Sequence, residues 1–543
     1  MLTIELNREN IEYDVYALVK AFYPEEQVVV LIPESRRERR ENLPEGRRIS
    51  VEVEENGAKL RIDDREFLWD AAEEEETCRE ERKLEEIARQ DVENPENRNG
   101  SSEEKLEREI QQGEAYSEEE KVSGEAAQGD SAADLDGKRF KEGFKRFLYR
   151  IFSRETGKQL PWGNLVGIRP TKIAYTLLEE GKRPEEILRH YQERYLTSPG
   201  KAALSLEIAE RERRLLSGLR CNENAYSLYV GIPFCPTTCL YCSFTSYPIA
   251  GYRSRTENYI DCLVAEMKYV AESCRQKKLE TVYIGGGTPT TLEAEQLERL
   301  IGEMRGLLDF REVKEFTVEA GRADSITEEK LAALRRCGVT RISVNPQTMN
   351  QTTLDLIGRR ASVEQVEEAF AMARAAGFDN INMDLILGLP GEREEEVQYT
   401  ADQITRLAPD SLTVHSLAIK RASRLNRVIQ ENGSVVLYNT EETMGIAENC
   451  ARGLGMFPYY LYRQKNISGN FENVGYAKEG KEGLYNILIN EEKQTIIALG
   501  AGSITKRVYP DGRIERCENV KDVSQYMERV EEMIARKRAL LEE

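Results

Sequence analysis

Apolar positions along this chain follow two rhythms, one of period two and one of period 3.6, and the switches between them mark out segments. Over residues 1–71 TIELN reads as a strand, YDVYALVKAFY as a helix and VVVLIP as a buried strand. RRISVEVEE and AKLRID then form a hairpin around Asn56–Gly57, giving a small α/β domain. Residues 139–225 turn helical: FKEGFKRFLYRIF, then TKIAYTLLEEG ending at a glycine, then PEEILRHYQERY opened by a proline, then a long amphipathic stretch. From 226 a regular beat sets in. SLYVGIPF, ETVYIGG, EFTVEA, RISVNP, NINMDLILG and SLTVHSLAI are strand-like, and helical segments separate them. Repeated strand–helix units mean parallel strands joined by right-handed crossovers.

Such a sheet is either doubly wound or a partial barrel, and the polar residues favour the barrel. Three cysteines follow the first strand, GGGTPT the second, and Glu319 ends the third. Asn345 and Gln347 end the fourth, Asp384 lies in the fifth, and His415 with Ser416 lies in the sixth. A barrel gathers the C-terminal ends of its strands around one mouth, so all these groups face one cavity. The expected fold is therefore α/β: a partial (β/α)6 barrel over 226–424, preceded by the small α/β unit and the helical segment. Residues 425–543 are expected to form an α+β extension covering the substrate, with a helix around YNTEETMGIAENCARGLG and a stretch rich in tyrosine, asparagine and glycine.

Charge adds one segment to this picture. Between Ala72 and Lys138 there are 23 acidic and 9 basic residues, which carry most of the net charge of -20. This stretch is nearly devoid of aromatics and reads as a disordered linker or a solvated helix, either a regulatory element or a tolerated insertion. The acidic balance argues against nucleic acid as a partner. No run of about 18 apolar residues appears, and MLTIELNREN lacks a basic region followed by an apolar one, so neither a membrane span nor a signal peptide is expected. The ten cysteines are too sparse for a secreted disulfide scaffold, and a reducing cytoplasm is the expected location. The loop LPWGNLVGIRPTK, with Trp162, Arg169 and Lys172, is either a packed connection or a basic lip for an anionic substrate.

The chemistry concentrates in GIPFCPTTCLYCSF, where Cys235, Cys239 and Cys242 fall within eight positions. Structural zinc takes four protein ligands. The chain has one CxxC here and only His190 and His415 as histidines, so zinc needs a distant recruit such as Cys262. A cubane iron–sulfur cluster held by three thiolates instead leaves one iron open for a substrate or cofactor. Accidental packing of three cysteines is the remaining alternative. In YIGGGTPT the glycines allow close backbone approach to a ligand, while the GK[ST] ending of a phosphate loop is missing.

YVGIPFCPTTCLYC, YIGGGTPT, FTVEAG, RISVNPQTMN, LIGRR and NMDLILGLPGE, in this order, resemble the radical S-adenosylmethionine superfamily. Within it the chain resembles the oxygen-independent coproporphyrinogen III dehydrogenases (oxidases). LPWGNLVGIRPTKIAY, LTVHSLAIKRAS and GNFENVGYAKEG look like the longer coproporphyrinogen dehydrogenase branch. The resemblance implies a [4Fe-4S] cluster on Cys235, Cys239 and Cys242, with S-adenosylmethionine chelating the open iron and yielding a 5′-deoxyadenosyl radical. It implies cofactor contacts at Tyr229, Phe244, Gly286, Gly287, Glu319, Gln347, Arg359 and Asp384. Among these, Arg359 pairs with the methionine carboxylate, and Gln347 and Asp384 take ribose hydroxyls. Two positions depart from the family pattern. Gly231 replaces the histidine of YxHIPFC, and Phe244 replaces the last cysteine of CxxxCxxCxC, a cysteine that heme-trafficking relatives also lack.

The implied reaction is oxidative decarboxylation of two propionates of coproporphyrinogen III to vinyl groups, giving protoporphyrinogen IX in heme biosynthesis. It calls for an electron donor and an electron acceptor as partners. A tetracarboxylate needs cationic contacts, and Arg169, Lys172, Lys420, Arg421, Arg463 and Lys465 lie in segments expected near the mouth. Two other readings compete: a heme chaperone on the same barrel, and a different radical enzyme acting on tetrapyrroles.

Overall fold

The computed structural model describes residues 1–32, 46–72, 132–165, 169–420, 423–432, 437–464 and 467–542. The stretch 73–131, most of the acidic segment expected as a linker, lies outside the described residues. The chain divides into two compact units: residues 1–166 with 191–197, and residues 167–190 with 198–543. These units cut the chain differently from the five segments expected above.

In the first unit, strands β1 (Leu2–Leu6), β2 (Val28–Leu31), β3 (Arg47–Val53), β4 (Gly57–Ile62) and β5 (Arg65–Asp70) form one sheet in the order β2-β1-β3-β4-β5. Strand β3 alternates Ile49, Val51 and Val53 inward with Arg48 and Glu52 outward, so one face of the sheet is apolar. Helix α1 (Glu12–Phe22) packs Val15, Leu18, Val19 and Phe22 into the core. Helix α2 (Ala132–Thr156) adds Phe144, Leu148 and Phe152, so the first part of the expected helical segment belongs to this core. REFLWD, not expected as a strand, becomes β5 because Phe67 and Trp69 alternate onto the covered face.

The second unit is built on an eleven-stranded sheet. Helices α3 (Thr171–Glu179) and α5 (Pro199–Leu216) precede it, and α4 (Pro184–Tyr195) spans the boundary between the units. Six parallel strands follow in sequence and in space: β6 (Ala225–Ile232), β7 (Lys278–Gly286), β8 (Glu315–Gly321), β9 (Arg341–Val344), β10 (Ile381–Leu387) and β11 (Ser411–Ser416). The helices between them include Thr256–Ser273, Ala294–Leu307, Glu328–Arg336, Val363–Ala375 and Glu394–Leu407. This is the expected partial barrel. Its strands are buried on both faces, which is why they read as near-continuous apolar runs.

The C-terminal extension shares this sheet. Strands β12 (Phe457–Tyr462) and β13 (Asn473–Ala477) pair antiparallel beyond β11. Strand β14 (Thr495–Leu499) returns to lie parallel beside β6, as a seventh parallel strand, and carries β15 (Ile504–Val508) and β16 (Ile514–Glu518) on its outer side. Among the described residues no helix is long and apolar enough to cross a membrane.

Candidate functional site

The loop after β6 is stitched down at several points by main-chain hydrogen bonds. Gly287 and Thr288 donate to Ile232 O and Phe234 O at 2.8 and 2.7 Å, Tyr247 N donates to Pro233 O at 2.8 Å, and Leu240 N donates to Ile357 O at 2.9 Å. The glycines of YIGGGTPT also have a packing reason. A Cβ on Gly287 would stand 2.6 Å from Phe234 O, and one on Gly285 2.7 Å from the Tyr283 ring. Gly286, at φ +107°, would bring a Cβ 3.2 Å from the Tyr229 hydroxyl. The run is glycine so that β7 can lie against the cysteine loop, and Gly286 and Gly287 then line the cavity beneath it.

That cavity, about 570 Å³, opens at the C-terminal ends of the parallel strands. It brings together Cys235, Cys239, Cys242, Phe244, Gly286 and Gly287 with Glu319, Gln347, Arg359, Asp384, His415 and Lys420. All of these except His415 are residues singled out for the site in the sequence, and His415 was placed at the mouth with them. The cysteine sulfurs have polar neighbours: Thr288 Oγ1 donates to Cys235 Sγ at 3.5 Å and Arg322 Nη1 to Cys239 Sγ at 3.8 Å. Burial pushes the Cys235 thiol up to about 11, against the pull of the Thr288 hydrogen bond. Burial also raises Cys242, opposed by the Phe244 main-chain N–H. Among the described residues no three histidine, cysteine or carboxylate side chains converge closely enough to hold a single metal ion.

Part of the cavity lining is polar and under-satisfied. Gln347 Oε1, Arg359 Nε, Asn345 Oδ1 and Ser343 Oγ are buried without a hydrogen-bond partner. Gln347 also holds φ +71°, a left-handed conformation rare for a side chain of its size. Its backbone is clamped there, with Gln347 N donating to Asp384 O and Ile386 N donating to Gln347 O, both at 2.9 Å. Arg359 donates from Nη1 to Asn345 O and is also hydrogen-bonded to Tyr241 and Cys239, which raise its pKa further against burial. Burial alone favours a protonated Asp384, yet this carboxyl is held below its ordinary range by His415, Asn382 and Thr413. Asn382 Nδ2 donates to Asp384 Oδ1 at 2.7 Å, and His415 Nε2 stands 3.9 Å from Asp384 Oδ2. Orphaned donors and acceptors in one cavity with three thiols suit a cofactor that carries both a cluster and a polar organic part.

Other sequence candidates fall elsewhere. Tyr229 is half-buried and outside the cavity lining, its ring stacked with Tyr283 and Tyr485 at 6.2 Å from each. Arg169 pairs with Glu492 at 2.6 Å, and neither it nor Lys172 lines the cavity, so the basic-lip reading gains no support. Arg463 is buried and donates to Asn470 Oδ1 at 2.5 Å, also outside the lining. Arg421 and Lys465 lie outside the described residues. Sequence reasoning missed Arg322, Arg341, Tyr460 and Tyr462, all in the lining. For Arg341 a signal was present, since it shares the strand alternation of Ser343.

The comparisons agree with this geometry. A family model described as the Radical SAM superfamily matches residues 229–404. The oxygen-independent coproporphyrinogen-III oxidase-like protein HemZ of Bacillus subtilis (strain 168) is 41% identical over 414 residues, covering 74% of this chain and 83% of that protein. The heme chaperone HemW of the same organism is 31% identical over 307 residues, covering 56% of this chain and 76% of that one. The oxygen-independent coproporphyrinogen III oxidase of Salmonella typhimurium is 32% identical over 199 residues, 37% of this chain and 43% of that enzyme. The chain belongs to the radical SAM superfamily, in the family of the oxygen-independent coproporphyrinogen III oxidase-like proteins. That membership implies an iron–sulfur cluster and S-adenosylmethionine as the family's cofactors.

Proposed function

We propose that this chain oxidatively decarboxylates two propionate side chains of coproporphyrinogen III, giving protoporphyrinogen IX. The observation that carries the reading is one cavity lined by three thiols and by Gln347, Arg359, Asn345 and Ser343, each of which has a buried atom without a partner. In this reading Cys235, Cys239 and Cys242 hold a [4Fe-4S] cluster, and Gln347, Arg359, Glu319 and Asp384 hold S-adenosylmethionine. The chemistry this cofactor pair supplies is hydrogen-atom abstraction, after which each propionate loses carbon dioxide and one electron to become a vinyl group.

The side chains prepare the site for that chemistry. Arg359 places a permanent positive charge opposite an anionic group. Gln347 presents an acceptor fixed by its strained backbone. Asp384, kept ionised by His415 and Asn382, accepts hydroxyl protons. Lys420, half-buried at the lining with its pKa lowered by desolvation, faces the substrate's acidic groups.

A second reading, tetrapyrrole binding without decarboxylation, is favoured by Phe244. It is 76% exposed on the cavity lining, an apolar face at the position where the family pattern has a cysteine. The deciding experiment is an anaerobic assay of the reconstituted protein with S-adenosylmethionine, a reductant, an electron acceptor and coproporphyrinogen III. Substrate-dependent 5′-deoxyadenosine with loss of two carboxylates supports the enzyme. Stoichiometric heme binding with coproporphyrinogen unconsumed would replace it with the second reading.

A further inference from the structure

At the N-terminal end of β9, Arg341 is 2% exposed and still lines the cavity. Its Nη2 donates to Ser411 Oγ at 3.1 Å, while its Nε has no partner. Among the described residues no carboxylate forms an ion pair with it. The charges of Glu315 and Glu319 act on it from beyond ion-pair distance, and Glu315 is already engaged with Thr317 Oγ1 at 2.8 Å and with the main-chain N–H groups of Leu484 and Tyr485. Two residues along the same strand face, Ser343 Oγ is also buried, on the lining and without a partner.

A guanidinium taken out of water without a carboxylate in direct contact is costly, and the cost persists only where something offsets it. Here the open N–H and the open hydroxyl share one cavity wall. Guanidinium matches a carboxylate in both charge and fork geometry, and a serine hydroxyl adds a third donor. We propose that Arg341 and Ser343 form a carboxylate subsite on the cavity floor that takes one acidic side chain of the substrate. The subsite rests on the proposed function for the identity of the acid it binds.

The test is fluorescence titration of the anaerobic, cluster-loaded full chain with coproporphyrin III, a tetra-acid, and with its tetramethyl ester. The wild type is expected to prefer the acid. Arg341→Met should weaken acid binding at least about tenfold and leave ester binding unchanged, with Arg341→Lys recovering part of the loss. A folded Arg341→Met chain that binds the acid like wild type overturns the proposal, as does a wild type that does not distinguish acid from ester. If Arg341→Met does not fold, Ser343→Asp decides. It places a carboxylate beside the guanidinium, so acid binding should again fall at least about tenfold, and unchanged binding overturns the subsite. Turnover is scored separately. Arg341-dependent binding without decarboxylation removes the proposed reaction and keeps the subsite, whereas decarboxylation with Arg341-independent binding does the reverse.

Discussion

Tyr283 donates its hydroxyl hydrogen to Oε1 of Glu319 across 2.5 Å, on the cavity lining where the glycine-rich turn meets the third parallel strand. The carboxyl is nevertheless pushed up to about 7. Burial is the main cause and the Asp384 charge adds to it, while the Tyr283 and Gly286 hydrogen bonds pull the other way. The folded chain therefore holds a proton on Glu319 that an unfolded chain, titrating near 4.5, has already released.

This gives a pH dependence with a definite sign. Because the native state binds more protons between pH 4.5 and about 7, the contribution of Glu319 to stability falls as pH rises through that window. The loss is at most roughly 3 kcal/mol. Denaturant unfolding of the cluster-free protein at pH 5 and pH 8 should show it, and Glu319→Gln should flatten that part of the profile. A Gln variant with the wild-type pH slope would refute the assignment.

A second prediction concerns the buried pair Lys537–Glu266, at 2.6 Å and with both side chains 0% exposed. Glu266 also accepts from Tyr526 Oη at 2.6 Å and from Gly500 N at 2.8 Å, so it ties the C-terminal helix to the turn after β14. Lys537→Met leaves a buried carboxylate uncompensated and should cost about 3–5 kcal/mol in denaturant unfolding. Adding Glu266→Gln should recover at least part of that loss, because the uncompensated charge is then gone.

The cysteine assignment predicts a clean contrast. Alanine at Cys235, Cys239 or Cys242 should each bring the iron content of the reconstituted chain from about four per chain to near zero. Cys262→Ala, buried in the helix Thr256–Ser273 outside the cavity lining, should keep it. Iron analysis and the visible absorption of the cluster read both.

Gly287→Ala tests why the turn is glycine. The new Cβ would lie 2.6 Å from Phe234 O and 2.9 Å from Ile232 O, and main chain on both sides has little freedom to yield. A loss of about 1–3 kcal/mol is expected, together with poorer cluster retention, since the strained contact is to the cysteine loop itself. Wild-type melting and wild-type iron would show that the loop can relax.

What the sequence determined by itself is the local order: six strand-then-helix units, the polar residue at the end of each strand, and three cysteines on the first loop. Strand and helix periods are properties of consecutive residues, and parallel strands with right-handed crossovers bring their C-terminal ends to one mouth. Cys239, Glu319, Gln347, Arg359 and Asp384 therefore came to one cavity as expected. Tertiary structure alone decided the rest, because it depends on partners far apart in the chain. The apolar run TIIAL carries no sign that Ile497 will sit opposite Leu228 as part of a seventh parallel strand. Arg169 looked available to a substrate until Glu492, 323 positions away, closed on it at 2.6 Å. That the Arg341 side chain is buried with its Nε unpartnered and no carboxylate in ion-pair contact is set by the packing around it. Periodicity tells which face a side chain takes, whereas the groups already waiting on that face are set by the fold.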